Sequence, residues 1–166
     1  MRKLDGGLMI RKTSNAVVIA ILAAGVFVST AAAAKPVKSP VPFSDVTGQF
    51  CEDFPVLVQA TTNKVFVITF DSGRVLSAGA FKLRLTNLET NEVINVNASG
   101  PVMFSSDGAT VTLRGNSVLA GETGFFGPGS PPRLSLISGS VVIDLATGSV
   151  LSETGRSRDL CARLAA

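Results

Sequence analysis

The sequence predicts an all-β domain: an antiparallel meander of about eight to ten short strands that closes into a small up-and-down β-barrel, with a two-sheet β-sandwich as the alternative. Three observations carry this expectation. From Phe54 onward apolar and polar residues alternate with period two, the pattern of strands buried on one face. The alternating runs are divided by short segments rich in glycine, asparagine and aspartate, which suit hairpin turns. Helical periodicity is missing except for a last turn around 158–164, so nothing supplies the crossovers that parallel pairing needs. A meander of this length must hide its edges, and closure hides them completely.

The chain opens on charged residues, with Arg11 and Lys12 directly before the uncharged run Ala16 to Val28 and the small-residue stretch Ser29 to Ala34. That order of basic, apolar and small residues reads as a secretory signal peptide over 1–34, cut after Ala34. The alternative is an uncleaved anchor. Met9 offers a more compact leader than Met1, and mapping the N-terminus of the precursor distinguishes the two starts. Four of the fifteen Lys and Arg residues but one of the twelve Asp and Glu residues fall in 1–34. The mature chain is therefore balanced at eleven of each, so the overall +3 charge is no argument for a nucleic-acid partner. Residues 35–50 begin with Lys35-Pro36-Val37-Lys38-Ser39-Pro40-Val41-Pro42, where the prolines argue against helix or ladder and for an extended tether.

The single β domain is expected over 51–166, bracketed by the only two cysteines, Cys51 and Cys161. Export makes a disulfide the expected state, and closing so long a loop stabilises by about 4 to 5 kcal/mol in the chain-entropy model. Strands are expected near 56–61, 64–71, 74–78, 80–88, 92–98, 101–105, 109–114, 133–138, 140–146 and 149–154, some adjacent pairs being one bent strand. Phe81, Leu83 and Leu85 alternate with Lys82, Arg84 and Thr86 in the clearest of them. Asp71-Ser72-Gly73, Glu89-Thr90-Asn91, Ser106-Asp107-Gly108 and Ala146-Thr147-Gly148 are the expected turns.

Chemistry is sparse. With no histidine, the ordinary catalytic triads and imidazole–zinc sites are excluded, and paired cysteines offer no thiolate. Asp45, Glu52 and Asp53 form the one local acidic group, without the spacing of a calcium loop. No cofactor is expected. Asp144 is the one carboxylate in a strongly apolar strand. It either faces outward with Val142 or stands in a barrel lumen as a polar anchor opposite Arg84 or Arg114. The stretch from Gly121 to Pro132 holds Phe125 and Phe126 among four glycines and three prolines. Either a phenylalanine folds back as a plug for the barrel end, or the loop is a tip presenting one to a ligand or partner.

Cys51-Glu52-Asp53-Phe54-Pro55, Asn63-Lys64-Val65-Phe66, Phe70-Asp71-Ser72-Gly73, Gly100-Pro101, Asp144 to Gly148 and Asp159-Leu160-Cys161 together resemble uncharacterised secreted proteins of high-GC Gram-positive bacteria. The resemblance covers most of the mature chain and implies export and a β domain with terminal cysteines, without catalytic residues. The strand pattern is also similar to plant dirigent and allene oxide cyclase barrels, a likeness of fold that assigns no function. Three functions follow as expectations. The first is a secreted, non-enzymatic module holding a small apolar ligand, the second a cell-envelope or partner-interaction module, and the third a histidine-free hydrolase or isomerase. After signal cleavage neither membrane nor nucleic acid is an expected partner. An interior larger than its own side chains fill separates the first from the second.

Overall fold

The computed structural model describes residues 38–166, so the signal peptide expected over 1–34 and the start of the tether lie outside the described residues. Nine antiparallel strands form one sheet: β1 (Lys38–Pro40), β2 (Val46–Gly48), β3 (Val56–Thr69), β4 (Val75–Asn87), β5 (Val93–Asn97), β6 (Val102–Phe104), β7 (Thr110–Gly121), β8 (Arg133–Asp144) and β9 (Val150–Asp159). A single-turn helix, α1 (Cys161–Leu164), ends the chain. Among the described residues no helix is long and apolar enough to cross a membrane.

All four expected turns occur, and the positive φ that each needs falls on Gly73 (81°), Asn91 (63°), Gly108 (69°) and Gly148 (73°). The strands between them are fewer and longer than the alternation suggested. Segments 56–61 and 64–71 are one strand with a register shift between Ala60 and Thr62, where Thr61 Oγ1 donates to the Lys82 carbonyl at 3.2 Å. Likewise 74–78 and 80–88 merge into β4, and 133–138 and 140–146 into β8.

Closure into a barrel does not occur. The pairing order runs β1-β3-β4-β6-β7-β8-β9, with β2 added on β3 and β5 on β4, and no ladder joins β9 back to the first strands. Instead the sheet folds over on itself, because residues that are distant in this order share one core. Val56, Val58, Leu83, Leu85, Ile94 and Val96 of β3, β4 and β5 pack with Leu134 and Leu136 of β8. The same core takes in Phe50, Cys51, Phe54, Leu160 and Leu164, none of which belongs to a strand. The Cys51–Cys161 disulfide, with Cα atoms 5.6 Å apart, ties the segment before β3 to the residue that begins α1. A bond and a plug of side chains thus close one end of the open sheet.

The expected tether is extended but does form ladders. Lys38, Ser39 and Pro40 pair with Ile68, Val67 and Phe66, and Val46, Thr47 and Gly48 pair with Val58, Leu57 and Val56. Both segments lie on an edge of the sheet, where a proline's missing N–H can face away from the ladder. The expectation that proline forbids pairing applies to central strands, and these are not central.

Buried Asn87 ties the closed end together. Its Nδ2 donates to the Leu164 carbonyl at 3.1 Å, while its Oδ1 accepts from the N–H groups of Glu89 and Thr90 at 2.8 and 3.3 Å. One side chain therefore fixes both the C-terminal helix and the β4–β5 turn.

Candidate functional site

Away from the disulfide the folded-over sheet is not filled. Between β2, β3, β4, β6 and β7 lies a partly open apolar cleft of about 390 Å³, lined by Phe43, Val58, Phe81, Leu83, Val102 and Val118 among others. A second hollow of about 220 Å³ adjoins it, sharing Phe43, Phe81, Ala98, Gly100 and Val102 and extending to Val41, Val65 and Ala78. The larger volume lies within the range of small-molecule sites, which are mostly apolar with few polar groups.

The lining follows from the strand pattern. Phe81 and Leu83 are successive inward positions of β4, whose neighbours Lys82 and Arg84 are exposed. Phe81 is held at its backbone: its N–H donates to Ser99 Oγ at 2.8 Å, and its carbonyl accepts from Ala98 N–H at 2.9 Å. Its ring meets Phe43 edge to face, with centroids 5.2 Å apart and planes at 69°. Phe43 comes from the N-terminal segment, which crosses the cleft as a strap. Val41 N–H donates to the Val65 carbonyl at 3.1 Å, and Asn63 Nδ2 donates to the Val41 carbonyl at 2.7 Å. Phe43 itself is 37% exposed, so the strap covers the cleft without sealing it.

The opposite wall depends on Gly100. Its N–H donates to the Asn116 carbonyl at 2.7 Å, and a Cβ there would clash with the Arg114 carbonyl and come within 2.8 Å of Ser117 Oγ. Only glycine allows this approach of the β5–β6 connection to β7. The approach buries Ser117 to 5% exposure, and its hydroxyl has no hydrogen-bond partner. Ser117 is the only polar residue lining the larger hollow; the smaller one adds Asn63 and Ser77. No ionisable side chain lines either.

The residues singled out in the sequence are dispersed. Asp144 stands at the end of β8, where its Oδ1 accepts from the N–H groups of Thr147 (2.8 Å) and Ala146 (3.0 Å) and from Thr147 Oγ1 (2.9 Å). The Thr147 N–H first, then its hydroxyl and the Ala146 N–H, hold the carboxyl below its ordinary value, against a smaller opposing effect of burial. It organises a turn and is not an interior anchor. Asp107 is lowered in the same way in the β6–β7 turn, by Ser105 Oγ first and then the Ala109 N–H. Arg84 and Arg114 are exposed on β4 and β7 and make no ion pair with Asp144; the one ion pair among the described residues joins Arg133 to Glu153 at 2.8 Å. Asp45 accepts from Gln59 Nε2 at 2.8 Å, and no group of three or more acidic or cysteine side chains gathers among the described residues.

The two loop phenylalanines divide the roles expected of either. Phe126 is half-buried against Leu119, Ile137 and Val141, a second apolar cluster on β7 and β8. Phe125 stacks edge to face on it at 5.0 Å and stays 59% exposed. Phe126 therefore covers the sheet and not the end of a barrel. Sequence reasoning missed Phe43 and Ser117 altogether. A signal for Phe43 existed, an aromatic residue directly after a Pro-rich segment; a serine within a strand carries none.

Comparison with protein-family models, with curated proteins and with solved structures finds no match to this chain.

Proposed function

We propose that this is an exported, non-enzymatic β module that binds a small apolar ligand in the cleft between β4 and β7. The observation that carries the reading is the partly open hollow of about 390 Å³, walled by apolar side chains at the unfilled end of an otherwise well-packed sheet. Small interiors of this kind are normally filled by their own side chains. Export is supported by the signal-like N-terminus and by the disulfide, which is rare in a reducing cytosol. The uncharged lining offers no general acid, base or nucleophile beyond weakly nucleophilic hydroxyls, so binding fits it better than hydrolysis or isomerisation.

Uptake of the neutral dye N-phenyl-1-naphthylamine tests the reading. Saturable fluorescence enhancement at one dye per chain is expected, and Val102→Trp, which fills the space shared by both hollows, should abolish it while the melting temperature holds. Enhancement that never saturates, or that survives Val102→Trp unchanged, counts against the cleft. A second reading, a partner-contact module, rests on Phe125 at its exposed loop tip. Loss of partner capture on Phe125→Ala, with dye uptake intact, would favour it.

A further inference from the structure

We infer that the two hollows act as one groove for a single unbranched hydrocarbon chain of about sixteen carbons, the tail of a lipid-like molecule whose polar head stays in water. The inference rests on the reading of the cleft as a ligand site and names the class of ligand. Its basis is the continuity of one wall. Ser77, Gly79, Phe81 and Leu83 occupy alternate positions of β4 and so face one side of the sheet. The first three line the smaller hollow and the last two the larger one, so a single row of residues runs beneath both. Ser77, Gly79 and Phe81 are only half-buried, which leaves this floor open to a ligand. At about 220 Å³ the smaller hollow falls below the range of ordinary small-molecule sites, about 300 to 1,000 Å³, and reads as an extension of the larger.

Gly79 opens that extension. It pairs with Val65 across the sheet, and a Cβ at Gly79 would strike the Lys64 carbonyl, so the close approach of the two strands keeps the position bare. The residues common to both hollows include Phe43 and Phe81, whose rings meet at 5.2 Å. These rings narrow the junction. A thin, flexible chain fits past them, where a broad rigid ring system would have to displace the strap. Charge sets the other boundary of the class, since no ionisable side chain lines either hollow and a charged group inside would lose its hydration unpaired. From Ser77 to Leu83 the row advances six residues, about 20 Å at about 3.3 Å each. An extended alkyl chain advances about 1.25 Å per carbon, from a bond of about 1.5 Å and an angle of about 111°. About sixteen carbons therefore match the whole row, and about eleven match the part from Gly79 to Leu83.

Displacement of N-phenyl-1-naphthylamine by straight-chain primary alcohols of about eight to about twenty carbons tests the inference. Each added methylene should strengthen displacement about three- to fourfold up to about sixteen carbons and add little beyond that length. A rigid saturated polycyclic alcohol of equal carbon number should displace the dye about tenfold more weakly than the straight chain. Ser77→Phe, which puts a ring on the floor of the smaller hollow alone, should bring the plateau down to about eleven carbons and leave the shorter alcohols unchanged. If Ser77→Phe melts clearly below wild type, Val65→Phe in the same hollow reads the same shift. A wild-type plateau already at about eleven carbons, no plateau within the series, equal displacement by the polycyclic alcohol, or a plateau that neither variant moves overturns the inference while leaving the cleft a ligand site. A wild type that takes up neither the dye nor any of the alcohols overturns the ligand reading itself.

Discussion

The two ends of the folded-over sheet share the long strands β3 and β4 and are packed to opposite degrees. At the disulfide end Val56, Leu85, Leu160 and Leu164 are wholly buried, and Asn87 hydrogen-bonds across the core. At the cleft end Phe81, Val102, Leu113 and Val118 are half-buried around open space. The difference comes from what lies outside the strands. Cys51, Phe54 and α1 fill the first end, whereas the second is bordered only by Phe50 and the strap with Phe43. An open sheet can therefore keep a hollow at one end because a covalent bond and a plug secure the other.

The comparison can be broken most strongly at the disulfide. Replacing Cys51 and Cys161 by alanine should remove about 4 to 5 kcal/mol, read as a lower urea midpoint against the oxidised protein. Next comes a core truncation at the same end: Leu85→Ala, in a fully buried position, should cost about 2 to 5 kcal/mol. Phe81→Ala in the cleft should cost about 1 to 2 kcal/mol while abolishing dye uptake, because its ring is only half-buried. If the two substitutions cost the same, the ends do not differ as described.

The loop phenylalanines sharpen the contrast on a smaller scale. Phe126→Ala should lower stability by about 1 to 2 kcal/mol and Phe125→Ala by less than about 0.5 kcal/mol, measured by thermal melts of each. The smallest effect is acid dependence. Asp107 and Asp144 are held below their ordinary value of 3.8 in the folded protein. Their charged forms thus favour folding above that value, and the advantage is lost as pH falls through the lowered folded values. Urea midpoints should decline slightly more steeply below about pH 4 in wild type than in Asp144→Asn.

Much of the strand pattern was legible in the sequence, and little of how the strands pack against other segments was. The alternation of Phe81, Leu83 and Leu85 against Lys82 and Arg84 reports local burial directly, and the four turns announce themselves through residues that tolerate positive φ. The cysteine pair was legible because a signal-like N-terminus made a disulfide the expected state, and the two sulfurs are joined. The second half of β7 was hidden, because Gly115-Asn116 reads as the end of a strand and the sheet carries on past it. Edge pairing of Lys38–Pro40 was hidden because proline argues against ladders in general and not on edges. Barrel closure was expected because the sequence shows that edges exist but not how they are protected. Phe43 meeting Phe81, and Gly100 pressing on Ser117, are contacts between segments distant in the chain, and no local pattern encodes them.

The chain has no tryptophan or tyrosine, so a single introduced tryptophan reports on one place alone. Phe81→Trp puts that reporter in the cleft, and Leu151→Trp puts it on the exposed strand β9 as a control. Titration with a long-chain primary alcohol should shift the Phe81→Trp emission to shorter wavelength and saturate at one molecule per chain, leaving Leu151→Trp unchanged. A response of equal size at both positions, or none at Phe81→Trp while the protein remains folded, would contradict the account of the cleft as the binding site.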